Sequence, residues 1–330
     1  MEIFNNNQVN YNMKNQFISK NRIAGSRKPL TALIALVLLS TMSMAQKAHK
    51  VYPLIPSLNA YSFSDLMSAK DARDKQQVYS LFNLLDWCAA KHIKGLDPTA
   101  YFFPTYPEVP SDEYLRKFKE RAAKLGITLT GTGIRNDFAS PDPKVRAAGV
   151  ELAKKWIVAA SKMDIPVVRL FSGEIPKGYE NKWKEVADWM IESYRECAVF
   201  GEKYKVKIGI QNHGDMLQTA EQCKYVIQGV NSKWAGLIVD TGNFKTEDPY
   251  KDISELVKYA VNWQIKESPF EIGNPTQTDY SKLIKIIKDG GYKGFLPVET
   301  LLVMGKPYDP FSLVPKMLDE MGKAVQENYK

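Results

Sequence analysis

Short apolar runs alternate with longer amphipathic stretches from Leu54 to the end of the chain, and this alternation constrains the fold most strongly. Eight of the runs have the length and composition of β-strands: 57–62, 93–97, 127–131, 167–171, 206–211, 236–240, 261–266 and 294–299. Between them, apolar residues recur at intervals of three and four, as an α-helix with one buried face requires. The pattern is clear in 183–198 and again in 313–321.

Eight strands that alternate with helices predict an α/β fold, and they close most economically into a single-domain (β/α)8 barrel of the TIM type. A doubly wound open sheet has the same alternation and is the alternative. The motif GxGxxG, which binds dinucleotides in such sheets, does not follow the first strand candidate. No low-complexity linker interrupts the alternation, which favours one domain over 46–330.

The first 45 residues have the features of an export signal. Four basic residues lie between positions 20 and 28, an apolar run follows at 30–42, and Ser43-Met44-Ala45 provides small residues for cleavage before Gln46. The apolar run is shorter than the roughly 20 residues that a comfortable membrane span needs. We therefore expect a cleaved signal peptide at 1–45, no stable membrane insertion afterwards, and a periplasmic or extracellular protein.

Charge and cysteine content exclude two classes of protein. The segment 1–45 contains five basic residues and one acid, so the formal charge of +8 falls to +4 without it. No basic run with interleaved aromatic residues remains, which argues against a nucleic-acid partner. The chain has three cysteines, an odd number, and all of them lie in apolar helical patterns: Cys88, Cys197 and Cys223. They indicate small core residues rather than a disulfide framework.

Polar side chains stand at the carboxyl ends of the last four strand candidates, where catalytic groups lie in a TIM barrel. The side chains that we expect to converge above the barrel axis are Gln211, Asp240, Gln264 and Glu299. Such oxygen donors suit a hard divalent cation, with Mn²⁺ or Mg²⁺ favoured and Ca²⁺ or Zn²⁺ as alternatives. The simpler interpretation is that Asp240 and Glu299 cap the following helices or pair with Lys266.

These strand ends make the chain similar to the xylose isomerase-like superfamily of sugar isomerases, epimerases and endonuclease-IV-like barrels. The motifs that carry the resemblance are Gln211-Asn212-His213-Gly214, Asp240-Thr241-Gly242-Asn243, Gln264-Ile265-Lys266-Glu267 and Glu299. The resemblance covers the chain from about Leu54 onward. It implies Glu, Asp, His and Glu as metal ligands on the four strands, with the two glutamates moving protons across the substrate.

The sequence departs from that pattern at two positions. Gln211 replaces the first glutamate and Gln264 replaces the histidine. A glutamine oxygen can still bind a metal, but a carboxamide cannot accept a proton, so one member of the two-carboxylate pair is missing.

Four residues are the catalytic candidates. Glu299 is the acid or base nearest the predicted metal, and His213 is its counterpart, since it is two residues from Gln211 on the same side of the strand. The alternatives for His213 are a metal ligand or a residue that only orients a ligand. Lys266 would stabilise a developing oxyanion, or would simply form a salt bridge. Glu174, after the fourth strand, is a further acid or base of lower rank.

Asn243, Arg169 and Trp263 are the substrate-binding candidates. Arg169 has the alternative of bracing the barrel. Trp263, with Tyr61, Phe102 and Phe103, would offer an apolar platform for a sugar ring, and core packing explains these aromatic residues equally well.

Three functions remain open. The first is a metal-dependent sugar isomerase or epimerase, or a lyase that acts on keto-sugars or keto-glycosides, which removes a proton next to a carbonyl. Export favours glycosides and oxidised sugars over sugar phosphates. The second is a catalytically silent sugar-binding barrel. The third is an endonuclease-IV-like hydrolase. It is less favoured because the chain has only one well-placed histidine and a mild net charge. A small carbohydrate is the expected ligand, and an oligomer is compatible with the sequence.

Export gives the first testable prediction. The protein recovered from the secreted or periplasmic fraction of its host should begin at Gln46, because cleavage follows Ala45. N-terminal sequencing measures this directly. A cytoplasmic protein that keeps residues 1–45 would contradict both the export and the argument for extracellular substrates.

Overall fold

The strands of the barrel are short, parallel and almost completely buried. The computed structural model describes residues 51–68, 79–303, 305 and 307–330. Within these ranges the strands are β1 (Leu54–Asn59), β2 (Gly95–Asp97), β3 (Thr128–Leu129), β4 (Thr132–Gly133), β5 (Val167–Leu170), β6 (Lys207–Gln211), β7 (Ala235–Asp240), β8 (Ala260–Gln264) and β9 (Gly294–Val298). The predicted signal peptide, 1–45, lies outside the described residues.

The strand order closes on itself as the barrel prediction requires. One sheet runs β3-β2-β1-β9 and the other runs β4-β5-β6-β7-β8, with every pair parallel. A parallel bridge between Ile265 and Val298 joins β8 to β9. β3 and β4 follow each other across Thr130 and Gly131, so they correspond to the third predicted strand and extend it to Gly133. The α/β barrel prediction is therefore confirmed.

The first predicted strand, 57–62, is displaced toward the N-terminus. β1 begins at Leu54 and ends at Asn59, where a 3₁₀ turn, Ala60–Phe63, starts. The Asn59 side-chain oxygen accepts a hydrogen bond from the Tyr61 backbone N–H at 2.9 Å. This local bond competes with strand pairing and turns the chain at the barrel mouth.

The helices connect consecutive strands, with one buried face each. Those in the described residues are α1 (Ser64–Ser68), α2 (Leu81–Ala90), α3 (Asp112–Lys124), α4 (Pro143–Lys162), α5 (Trp183–Tyr204), α6 (Ala220–Val230), α7 (Pro249–Leu256), α8 (Tyr280–Asp289) and α9 (Pro310–Asn328). Ser80 and Thr219 form capping boxes at the starts of α2 and α6. Proline begins α4, α7 and α9, where its missing N–H costs no hydrogen bond.

The three cysteines are buried and unpaired, as the sequence predicted. They pack among apolar side chains of α2, α5 and α6. Across the described ranges, we find no helix with the length and apolar character that a membrane crossing requires.

A buried carboxyl group lies inside the barrel at the end of β2. Asp97 is 7% exposed, and its Oδ2 accepts a hydrogen bond from the Asn262 side chain of β8 at 3.0 Å. Burial raises the pKa of Asp97 to about 7, although the Arg169 charge opposes the shift. The Asp97 carboxyl is therefore held in its neutral form at mildly acid pH.

The raised pKa of Asp97 predicts a stability that falls with increasing pH. Below about pH 4 the carboxyl is protonated in both states, and from there to about pH 7 only the unfolded chain ionises. The free energy of unfolding should fall by up to about 4 kcal/mol over this window, and Asp97→Asn should remove that loss. Urea denaturation at several pH values measures the difference between the two proteins.

The matched control is Asp319→Asn, at an exposed ion pair with Lys323. It should change stability by less than about 1 kcal/mol at every pH. A parallel pH dependence in the wild type and Asp97→Asn would show that Asp97 is not the group responsible.

Candidate active site

The ends of β6 to β9 bring four polar side chains together at the barrel mouth. Gln211, Asp240, Gln264 and Glu299 are all at most 6% exposed. Gln211 Nε2 donates a hydrogen bond to Asp240 Oδ2 at 2.8 Å and another to Gln264 Oε1. Gln211 Oε1 has no hydrogen-bond partner among the described residues. The convergence expected from the strand ends is therefore present in the structure.

Lys266 joins the two carboxylates of this group. Its Nζ donates a hydrogen bond to Glu299 Oε1 and lies 3.4 Å from Asp240 Oδ2. Burial acts to lower the pKa of Lys266, but the charges of Asp240 and Glu299 outweigh it and the net shift is upward. Burial raises the pKa of Asp240, although Lys266 opposes that shift. We conclude that Lys266 is a buried ammonium ion.

Backbone and amide hydrogen bonds fix the strand ends that carry these groups. The Asn212 side chain accepts from the Asp240 N–H at 2.7 Å and donates to the Asp240 carbonyl at 2.9 Å. Asn243 Nδ2 donates to the Asn212 carbonyl at 3.0 Å, and the Thr241 hydroxyl accepts from the Lys266 N–H at 2.9 Å. Because these bonds link β6, β7 and β8, the side chains that they support are held in place.

A cleft of about 490 Å³ lies above the cluster, within the range typical of small-ligand sites. Its lining includes the polar residues Gln211, Gln264, Lys266 and Glu299 from the ends of β6, β8 and β9. The lining also includes Tyr61, Thr99, Tyr101, Arg135, Arg169, Phe171 and His213. The cleft therefore offers both charged groups and aromatic faces to a bound molecule.

Arg169, Phe171 and His213 contact one another in the lining of the cleft. The Arg169 guanidinium lies 3.6 Å from the Phe171 ring centre, and the Phe171 and His213 rings are 4.5 Å apart. Arg169 also donates hydrogen bonds to the Ile134 carbonyl, at 2.7 Å, and to the Tyr101 hydroxyl. Burial, with the Arg169 and Lys266 charges, lowers the pKa of His213 to about 4. His213 is therefore a neutral imidazole at pH 7.

Two predicted residues are not brought to this cleft. Glu174 is exposed, accepts a hydrogen bond from the Asp215 N–H at 3.2 Å, and has a pKa that burial raises. Trp263 is fully buried and its ring lies 5.6 Å from that of Tyr292. Trp263 precedes Gln264 on β8, so it points to the opposite face of the strand. The expectation that Trp263 contacts a sugar is therefore wrong. Glu174 is not among the residues that line the cleft.

The other predicted residues line the cleft or lie against its floor. His213, Asn243, Arg169, Lys266 and Glu299 line it. Of the predicted aromatic platform only Tyr61 does so, because Phe102 and Phe103 belong to the hydrophobic core.

Several residues that line the cleft were not predicted from the sequence, and Tyr101 and Arg135 are two of them. Tyr101 lies after β2, and Arg135 lies after β4 with its guanidinium 4.5 Å from the Tyr101 ring centre. Both follow strand ends, and that position is the signal that could have identified them.

Comparison with known families agrees with this geometry. Residues 86–303 match the family model described as a xylose isomerase-like TIM barrel. This chain belongs to that family. No curated protein matches the sequence of this xylose isomerase-like barrel.

Solved structures of sugar epimerases share the fold of this xylose isomerase-like barrel. A D-psicose 3-epimerase from Clostridium cellulolyticum H10, solved with D-tagatose, has a TM-score of 0.63 and 19% identity, covering 83% of this chain and 98% of that one. An L-ribulose 3-epimerase has a TM-score of 0.65 and 15% identity, covering 83% and 95%.

A further structure is the IOLI protein with a bound zinc atom. Its TM-score is 0.64 with 15% identity, covering 83% of this chain and 97% of that one. Similarities at this level of identity show a shared fold, and the chemistry must be argued from the residues of this chain.

The cluster can be tested against the divalent metal that the resemblance implies. Gln211 Oε1 is a buried acceptor that a cation could use. However, the Lys266 ammonium already contacts both carboxylates, and Gln211 points its N–H group at Asp240. The described part of the chain contains no group of three or more His, Cys, Asp or Glu side chains suited to a metal. As arranged, these residues do not fit a divalent ion, and metal binding stays a prediction from the sequence.

The environment of His213 predicts an unusually acidic imidazole. In an NMR titration its ring should remain neutral at pH 5.5 and have a midpoint near pH 4, because burial and two neighbouring cations disfavour the charged form. The chain has only three histidines, and His213→Asn identifies the signal by its loss. A midpoint near the ordinary value of about 6.5 would show that the ring is solvated.

Proposed function

We propose that this chain is a carbohydrate enzyme that moves a proton on the carbon next to a sugar carbonyl, as an isomerase, an epimerase or a lyase does. The observation that carries the proposal is the Glu299–Lys266 pair, which lines the same cleft as the neutral His213 ring. This arrangement supplies a carboxylate, a fixed cation and a second proton-transfer group around one space. The sugar epimerases that share the fold support the carbohydrate assignment.

In the proposed reaction, Glu299 accepts the proton from the carbon. The electrons of the broken C–H bond form a carbon–carbon double bond, and the carbonyl electron pair moves to oxygen to give an enediolate. Return of a proton to the other carbon or to the other face completes isomerisation or epimerisation, whereas departure of a neighbouring oxygen group completes elimination. The protonated Glu299 returns the proton that it took, and the neutral His213 imidazole accepts a second proton from a sugar hydroxyl and gives it back as an imidazolium ion.

Other residues of the cleft lining would bind the sugar. Arg169 and Arg135 supply donors to hydroxyl or carbonyl oxygens, and Asn243 lines the same space. Tyr61 and Tyr101, whose ring centres are 6.1 Å apart, would pack against the apolar face of a sugar ring.

Asymmetric proton transfer is the form of the reaction that these residues favour. Gln211 stands where the family resemblance implies a glutamate. Because a carboxamide cannot accept a proton, the symmetrical pair of catalytic glutamates is missing. Elimination from a keto-sugar or a keto-glycoside needs only one strong base beside a proton donor. An exported enzyme would meet such substrates during the breakdown of glycans outside the cytoplasm.

A catalytically silent sugar-binding barrel is the second candidate. The observation that favours it is the close pairing of Glu299 with Lys266, whose ammonium N–H already occupies the Glu299 Oε1 atom. A hydrolase that resembles endonuclease IV has less support, because the described residues lack a cluster of His and carboxylate ligands.

Solvent deuterium exchange tests the proposed function. The purified protein is incubated in D₂O with sugars, glycosides and keto-glycosides, with and without Mn²⁺, and mass spectrometry locates any deuterium in substrate or product. We expect incorporation on one carbon next to the carbonyl. Glu299→Gln should slow the incorporation by about 100-fold or more, because a carboxamide cannot act as a base.

The control is Glu120→Gln, in an exposed pair with Arg116 on α3, which should leave the exchange unchanged. If Glu299→Gln binds the sugars and neither protein exchanges deuterium, the sugar-binding barrel replaces the enzyme.

A further inference from the structure

We infer that the Lys266 ammonium is the resident cation of this active site, in the place that the family resemblance gives to a divalent metal. The catalytic part of the inference rests on the proposed function. The part that concerns metal binding stands on the arrangement of charges alone.

The position of Lys266 is central to the cluster. It follows β8, the strand between the one that ends at Asp240 and the one that precedes Glu299. Its Nζ contacts both carboxylates, and the three side chains are at most 10% exposed. A divalent ion shared by Asp240 and Glu299 would have to occupy the space that the ammonium group fills.

The surrounding structure is built to hold this lysine. Its backbone N–H donates to the Thr241 hydroxyl at 2.9 Å, and its carbonyl accepts from the Thr278 hydroxyl at 2.8 Å. Gly242 packs against its aliphatic stem so closely that a Cβ at that position would lie 2.8 Å from Lys266 Cγ. These contacts position the ammonium group and oppose its displacement.

The two glutamines complete the same arrangement. Gln211 donates to Asp240, and it also donates to the Gln264 oxygen. A glutamate at 211 would instead place a third negative charge against Asp240. With carboxamides at 211 and 264, the cluster contains two carboxylates and one ammonium, so its net charge is −1. A divalent ion placed beside the Lys266 ammonium would be repelled by it.

The chemistry follows from the exposure of Lys266 to the cleft. When the base removes the proton from the substrate carbon, negative charge develops on the carbonyl oxygen, and an ammonium N–H can donate a hydrogen bond to it. When the proton returns to carbon, the electrons leave that oxygen again. Lys266 keeps all of its protons throughout, so it acts by charge and hydrogen bonding alone.

Metal content and thermal stability test the inference without any substrate. The wild-type protein, purified without chelator, should contain well under one divalent ion per chain by elemental analysis. Its Tm should not change when Mn²⁺, Mg²⁺ or Zn²⁺ is added, because an ion that does not bind the folded state cannot stabilise it. About one bound ion per chain, or a rise in the Tm of the wild type with added Mn²⁺, would overturn the inference.

Two substitutions test whether the Lys266 charge is what prevents metal binding. Lys266→Met leaves Asp240 and Glu299 uncompensated, so its Tm should be lower and should rise with added Mn²⁺. Lys266→Arg keeps the positive charge and should show no response to Mn²⁺, which covers the case in which Lys266→Met does not fold. The matched control is Lys224→Met, which removes a half-buried pair with Glu255 outside the cleft and should not respond to metal either.

The deuterium exchange assay separates this inference from the proposed function. If the protein exchanges deuterium, the rate should persist after EDTA treatment and should fall by about 100-fold or more in Lys266→Met. Exchange that is lost with EDTA and restored by Mn²⁺ would refute the role of Lys266 and leave the proposed function standing. A metal-free protein without exchange would refute the function and leave the charge assignment intact.

Discussion

Two carboxylates, Asp240 and Glu299, are buried at the mouth of the barrel, and burial of a charge is costly without compensation. Lys266 supplies the opposite charge from the strand between them, and Gln211 donates a hydrogen bond to Asp240. The other features of the site depend on this balance. The amides that hold β6, β7 and β8 together also support the residues that carry it.

The barrel makes such a cluster possible because parallel strands end at the same rim. The pairing of Asp240 with Gln264 and of Ile265 with Val298 sets β7, β8 and β9 in a register that aligns their polar ends. Alternation along β8 then directs Asn262 and Gln264 to the interior and Trp263 to the surrounding core. One face of β8 thereby carries residues of the site, and the other face packs in the hydrophobic core.

Two groups of residues in the cleft lining have different electrostatic roles. The Glu299 carboxylate and the Lys266 ammonium form one pair. Arg169 contacts the Phe171 ring, which in turn contacts His213, and burial with the nearby positive charges favours the neutral imidazole. A substrate carbonyl in the cleft would meet both a fixed cation and a neutral proton-transfer group.

The sequence by itself determined the barrel, the approximate positions of its strands after the first, the unpaired cysteines, and the polar strand ends from Gln211 to Glu299, because periodicity follows directly from residue order. It did not determine the break between β3 and β4, the outward direction of Trp263, or the places of Tyr101 and Arg135 in the cleft. The contact of Lys266 with both carboxylates was also undecided, since the sequence offered both a metal and a salt bridge. Only the tertiary structure decided these points, because the direction of a side chain and the charges that meet it depend on strands that are distant in the sequence.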